Sequence, residues 1–148
     1  MTIVFTLCLP RESSSVPVVR HLFRSSMERL GVEQECVEDM ELAVTEACTN
    51  VLQHASGTTD EYEVGVEVNE KLCEIRVTDT GQGFDQATIG GAADASSETG
   101  RGIQLMNALV DRVQFVSKPK DGTIVHLIKE LRLTENSALR ALGAAAGP

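Results

Sequence analysis

The chain has 148 residues and a mass of 15.9 kDa, which is enough for one domain with a single core and too little for two. A hydrophobic fraction of 42% and a charged fraction of 24% are typical of a globular protein and exclude a disordered chain. The formal net charge is −9, so we expect no direct nucleic-acid or membrane binding, because both need a basic surface. No apolar run approaches the roughly 20 residues of a membrane span, and no basic segment precedes the first apolar stretch, which together favour a cytoplasmic protein.

The four cysteines favour a reducing compartment. Cys8, Cys36, Cys48 and Cys73 form no Cys-x-x-Cys pair, and each lies in an apolar or amphipathic stretch. We therefore interpret them as small buried thiols and expect no structural zinc site.

The first half of the chain predicts a strand, two helices and a hairpin. Residues 2–8 are rich in β-branched and apolar side chains, as in a strand. Apolar residues then recur at helical spacing up to Gly31, a good helix stop, and again over 33–55. Apolar and polar residues alternate over 62–79 on either side of a short polar break, which predicts two paired strands with one buried face.

The second half predicts a glycine-rich loop, a helix, two strands and a tail. Residues 81–102 contain six of the twelve glycines and predict a mobile loop. A helix is predicted over 102–111, and strands are predicted over 113–117 and 123–131. The Ala- and Gly-rich residues 134–148 predict a frayed or weakly helical tail.

This order of elements predicts an α+β fold. Hairpins dominate and one connection needs a crossover helix, which indicates a two-layer α/β sandwich with a mixed, mostly antiparallel sheet and helices on one face. The predicted domain covers residues 1–133, and residues 134–148 form a flexible C-terminal tail.

The second predicted helix carries three polar residues on one stripe. Glu46, Asn50 and His54 are spaced by four residues, so they share a face beside apolar neighbours. A carboxylate there can act as a general base, and an amide oxygen can bind Mg²⁺, a hard cation. A polar stripe that merely faces solvent is the alternative.

Two further motifs are rich in glycine. Asp79 ends a strand on the apolar side, where a buried carboxylate needs donors, and Gly81 and Gly83 allow a flat ligand to approach the backbone. Gly100-Arg101-Gly102 precedes a predicted helix, whose N-terminal amides together with the arginine suit an anion. A strand-ending turn and a flexible hinge are the respective alternatives.

The order of these motifs carries more information than any one of them. EACTNVLQHA, DTGQGFD, GRGIQLMNALVDRV and GTIVHLIKEL follow one another along the chain. This order resembles the Bergerat nucleotide-binding fold, and the local sequences are similar to the anti-sigma-factor serine/threonine kinases of bacterial partner-switching systems. The resemblance covers roughly residues 3–132, almost the whole chain.

The resemblance implies a role for each matching residue. Glu46 matches the catalytic base, and Asn50 matches the Mg²⁺ ligand next to the phosphates of ATP. Asp79 matches the acceptor of the adenine amino group, and Thr123 matches the residue that assists it through water.

Further matches concern the lid and the partner surface. Gly81 and Gly83 match backbone positions near the base, and Gly100, Arg101 and Gly102 match the end of the lid around the triphosphate. Arg20 matches a helix position that docks both the sigma factor and its antagonist.

The resemblance implies an ATP- and Mg²⁺-dependent kinase that is a homodimer. It would sequester a sigma factor and phosphorylate a Ser or Thr of an anti-anti-sigma factor. A non-catalytic, nucleotide-dependent module that binds the sigma factor is the alternative, and the intact Glu46 and Asn50 favour catalysis over it. The four residues before Gly100 lack the extra basic residue that some relatives carry near the γ-phosphate, which leaves the level of kinase activity open.

Overall fold

The structure is a computed structural model that describes residues 1–54, 61–79, 98–118 and 122–146. Its helices and strands, in chain order, are β1 Ile3–Pro10, α1 Ser15–Arg29, α2 Gln34–His54, β2 Glu61–Val68, β3 Leu72–Asp79, α3 Glu98–Leu109, β4 Arg112–Lys118, β5 Gly122–Glu130 and α4 Ala138–Ala146.

The five strands form one sheet in the order β1-β2-β3-β5-β4, and every described pairing is antiparallel. The predicted α+β two-layer sandwich is confirmed. The sheet has no parallel pair among the described strands, although a mixed sheet was expected. The reason is that β4 runs in the same direction as β3, but β5 lies between them and pairs with both.

The strand register places four residues in one row at one end of the sheet. Leu9 lies opposite Tyr62, Tyr62 opposite Asp79, and Asp79 opposite Thr123. Strand alternation turns the first three toward the helices, and all three are buried. Asp79 therefore shares its face with the apolar residues of β3, as the sequence predicted.

The helices pack on this inner face, with α2 in the middle. It contacts β3 and β5 beneath it and has α1 on one side and α3 on the other. Val44, Ala47 and Val51 follow its buried stripe and are fully buried. None of the described helices combines the length and the apolar character that crossing a bilayer would require.

The C-terminal segment, for which the sequence predicted a frayed or weakly helical tail, contains a helix that packs on the domain. Ala138–Ala146 form a helix, and Leu139 is fully buried. Ser137 Oγ donates a hydrogen bond to the carbonyl of Leu30 at 2.6 Å, and the amide of Leu139 donates to the same oxygen at 3.1 Å. Gly31, at a φ of 79°, leaves the room that Ser137 occupies, because an added Cβ would lie 2.5 Å from Ser137 Cα. The segment is ordered by contacts with the α1–α2 turn, more than a hundred residues earlier.

Candidate functional site

The contact between α2 and α3 brings three of the predicted site residues together. A Cβ added to Gly102 would lie 3.0 Å from Glu46 Oε2 and 3.5 Å from Asn50 Oδ1. Glu46 and Asn50 are one helical turn apart and so point to the same side of α2. The glycine lets the backbone of α3 pass directly over both polar groups, which any larger residue would push away.

The Asn50 side chain is buried and incompletely paired. Its exposed fraction is 3%, and its Nδ2 donates no hydrogen bond within the described part of the chain. A buried amide usually has partners at both ends, because desolvation without them is costly. The residues present fit a magnesium–phosphate group, since the amide can offer oxygen to a hard cation or N–H to a phosphate oxygen.

A second polar cluster lies at the end of the sheet. Asp79 has an exposed fraction of 0%, and Arg11 Nη1 lies 3.6 Å from its Oδ2. Arg11 comes from the turn that follows β1, whereas Asp79 is the last residue of β3. The two charges meet because the register places Leu9, two residues before Arg11, in the same row as Asp79.

Tyr62 ties this cluster to the N-terminus of α1. Ser15 Oγ donates a hydrogen bond to the carbonyl of Glu12 at 2.7 Å and lies 2.6 Å from the hydroxyl of Tyr62. Because the serine proton is used on Glu12, the tyrosine hydroxyl donates to Ser15. Burial raises the pKa of Tyr62 to about 12. Burial likewise raises the pKa of Cys48, which lies on α2, to about 12. Both groups are therefore neutral at physiological pH.

Of the other predicted residues, some are described only by their backbone and some not at all. Gly81 and Gly83 lie outside the described residues. Thr123 lies in β5 opposite Asp79, and only its backbone is described. His54 ends α2, and its side chain is likewise not described.

Helix α3 begins earlier than expected. Its first residue is Glu98, so Gly100, Arg101 and Gly102 lie inside the first turns of the helix and not before it. Glycine in a helix interior costs about 1 kcal/mol relative to alanine, which is why the sequence predicted a later start. At Gly102 the close approach to α2 explains why glycine is used inside a helix.

Arg20 lies away from the two clusters, on the side of α1 that faces α2. Its side chain is 46% exposed, and its Nε lies 3.8 Å from Glu41 Oε1. Glu41 also forms an ion pair with Arg24, which in turn pairs with Glu28. Arg20, Arg24 and their shared partner Glu41 form a charged cluster that bridges α1 and α2.

The outer face of the sheet is separate from these sites. Thr6, Gly65 and Arg76 line a shallow hollow there, on the side of the sheet that faces away from α1, α2 and α3. Close by, His126 Nε2 lies 3.4 Å from Glu74 Oε2. The hollow and the His126–Glu74 pair lie apart from the α2–α3 contact and from Asp79, so this face is not part of the candidate site.

Sequence reasoning missed Arg11, Ser15 and Tyr62. Each lies near a strand or helix end, and none belongs to a recognisable motif. Alternate residues of a strand share a face, so the two-residue spacing of Leu9 and Arg11 indicated that the arginine lies on the inner side of β1. Its pairing with Asp79 nevertheless depends on strand order and register, which the pattern of one strand does not contain.

These features together define a class of ATP-binding domain: an antiparallel sheet with helices on one face, an acid and an amide on the central helix, and a buried carboxylate at the strand end. The family model for the histidine kinase-like ATPase domain matches residues 9–129, most of the chain.

Curated relatives specify the class further. Three of them, each named serine-protein kinase RsbW, come from Halalkalibacterium halodurans, Bacillus velezensis and Listeria monocytogenes. Their identities are 34%, 35% and 31%, over 87%, 83% and 89% of this chain and 84%, 82% and 92% of the relative. The chain therefore belongs to the histidine kinase-like ATPase family and, within it, to the serine-protein kinases of the RsbW type. The resemblance to anti-sigma-factor kinases is confirmed.

Solved structures confirm the fold. The RsbU and RsbW domains of a Mycobacterium tuberculosis protein match with a TM-score of 0.67 and 18% identity, over 87% of this chain and 32% of that one. The histidine kinase domain of a blue-light activated kinase from Erythrobacter litoralis matches with a TM-score of 0.51 and 18% identity, over 90% of this chain and 65% of that one.

Proposed function

We propose that the protein is an anti-sigma factor that binds ATP and Mg²⁺ and transfers the terminal phosphate to a Ser or Thr of its anti-anti-sigma antagonist. The observation that carries this proposal is the meeting of Glu46, Asn50 and Gly102 where α2 and α3 touch. A module that only binds nucleotide has no need for a carboxylate at this place, whereas phosphoryl transfer to a hydroxyl uses one as a base.

At the phosphate end, Glu46 accepts the proton of the substrate hydroxyl. It is only partly exposed, beside the buried amide of Asn50. Asn50 would hold Mg²⁺, which when bound would neutralise charge on the phosphates. Gly100, Arg101 and Gly102 lie at the start of α3 and border the triphosphate, where the N-terminal end of the helix and the guanidinium suit an anion.

At the base end, Asp79 accepts a hydrogen bond from the exocyclic amino group of adenine, and Thr123 assists through water. A carboxylate that is fully buried at the end of a strand suits a ligand donor at this place. Gly81 and Gly83 let the backbone lie against the flat purine.

The partners are a sigma factor and an anti-anti-sigma factor, and the protein acts as a homodimer in the cytoplasm. Arg20 is accessible for docking, with a side chain that is 46% exposed. Residues 28–79 contain 14 acidic and 3 basic residues, and this acidic excess favours partners that bind DNA through basic faces.

The decisive test is a phosphate-transfer assay with γ-labelled ATP and the antagonist protein encoded beside the gene. The wild type should label the antagonist. Glu46→Gln should reduce the transfer rate by at least about a hundredfold, because general-base catalysis contributes on that order. ATP binding, measured by calorimetry, should remain within about threefold of wild type, because the base acts only in the chemical step.

Glu38→Gln is the matched control, since it changes the same residue type on an exposed position of α2 and should leave the rate unchanged. Transfer by Glu46→Gln at the wild-type rate would show that this carboxylate is not the base. Tight ATP binding without any transfer by the wild type would favour the non-catalytic module.

A further inference from the structure

Arg11 is the cation nearest to Asp79 for which the structure gives a distance, and nothing in the proposed function uses it. It follows Pro10, the last residue of β1, and its side chain is 15% exposed. Its Nη1 lies 3.6 Å from Asp79 Oδ2. The guanidinium therefore reaches across the end of the sheet, over β2, to the last residue of β3.

The position of Asp79 creates a need for such a cation. Its side chain has no exposed area, and an ionised carboxylate that is removed from water is costly unless a positive charge or hydrogen-bond donors lie beside it. An arginine meets this need better than a lysine, because its planar, weakly hydrated guanidinium offers several donors in a fixed geometry.

The turn that carries Arg11 is held at both ends. The amide of Glu12 donates to the carbonyl of Pro10 at 2.8 Å, and Ser15 Oγ donates to the carbonyl of Glu12 at 2.7 Å. Ser15 in turn contacts the hydroxyl of Tyr62, the direct neighbour of Asp79 in the sheet. The backbone that carries Arg11 is thus held close to the row of the sheet that contains Asp79.

We propose that Arg11 is a positioning residue for the purine: it holds the Asp79 carboxylate oriented toward the exocyclic amino group of adenine. This rests on the proposed function, in which Asp79 recognises that group. Arg11 does not touch the reacting phosphate, so it acts on the affinity and base selectivity of the site and not on the chemical step.

The test compares two nucleotides that differ only in that amino group. ATP and purine riboside triphosphate, which lacks it, are titrated by calorimetry into the wild type and into Arg11→Met, which keeps the aliphatic stem and removes the charge. Wild type should prefer ATP. In Arg11→Met the affinity for ATP should fall about tenfold, the scale of one hydrogen bond to a charged group, whereas the affinity for the purine analogue should change by less than about twofold.

Three further variants sharpen the result. Arg11→Lys keeps the charge and should restore most of the preference for ATP. Asp79→Asn should remove the preference, and adding Arg11→Met to it should have little further effect, because the two residues act as one unit. Arg29→Met removes a charge from the exposed end of α1 and should change neither affinity.

The outcomes separate this proposal from the proposed function. If the wild type bound neither nucleotide, the proposed function would fail. If the wild type preferred ATP and Arg11→Met kept that preference, or lost affinity for both nucleotides equally, only the role of Arg11 would be overturned. If circular dichroism shows that Arg11→Met does not fold, Arg11→Gln is the second uncharged variant that tests the role of Arg11.

Discussion

At the residue scale, the absence of a side chain at Gly102 matters as much as the side chains it faces. Glycine is a poor helix former, and alanine in its place would favour α3 by about 1 kcal/mol. The added methyl group would, however, meet Glu46 Oε2 at 3.0 Å, tighter than ordinary contact. Helix stability and site geometry therefore make opposite demands on this residue.

Gly102→Ala should thus impair function without reducing stability. We expect kinase activity to fall at least about tenfold, because small displacements of catalytic groups are costly, while the urea midpoint stays equal or rises. The transfer assay and urea unfolding measure the two effects. Gly65→Ala is the control, since its new methyl group would find nothing within 4 Å and should leave activity unchanged. A Gly102→Ala variant as active as wild type would show that α3 does not constrain Glu46.

At the element scale, α4 behaves as part of the domain. Leu139 is fully buried against the α1–α2 turn, and Leu142, one turn further along the same helix, is 48% exposed. The amide of Thr134 also donates to the carbonyl of Gly31 at 2.8 Å, so both backbone and side chain fix the start of the segment.

This difference within one helix gives a matched pair of variants. Leu139→Ala should lower the free energy of unfolding by about 2–5 kcal/mol, the usual range for a leucine truncated in a core. Leu142→Ala should lower it by less than about 0.5 kcal/mol, as for a surface substitution. Urea unfolding followed by circular dichroism measures both. Equal, small effects would mean that α4 does not contribute to the stability of the domain.

At the scale of the whole molecule, the core contains ionisable groups that must stay neutral. Burial raises the pKa of Cys48, Cys73 and Tyr62 to about 12 each. In the unfolded chain these groups lose their protons near their ordinary pKa values, about 8.5 for cysteine and about 10 for tyrosine. Between those values and about pH 12 the folded protein holds protons that the unfolded chain has lost.

The protein should therefore lose stability in alkali. The contribution of these groups is fully present below about pH 8.5 and is lost as the pH rises toward about 12, with a slope of at most about 1.4 kcal/mol per pH unit for each group. Urea unfolding at a series of pH values measures this slope. The double variant Cys48→Ala/Cys73→Ala should show a shallower decline above about pH 9, and an unchanged slope would contradict the assignment to the buried thiols.

The sequence by itself determined the strands and most of the helices, but it placed the start of α3 too late and did not predict that α4 packs on the domain. The alternation of apolar and polar residues in β2 and β3 predicted the hairpin and the inward side of Asp79. The spacing of Glu46 and Asn50 predicted their common face on α2. These properties depend only on residues within one or two helical turns or strands.

Only the tertiary structure decided which of these faces meet. The approach of Gly102 to Glu46, the ion pair of Arg11 with Asp79 and the docking of Leu139 join residues that are far apart in the chain. Such contacts follow from strand order, register and helix packing. These result from burying all the apolar faces at once, and the hydrophobic periodicity of a single segment does not encode them.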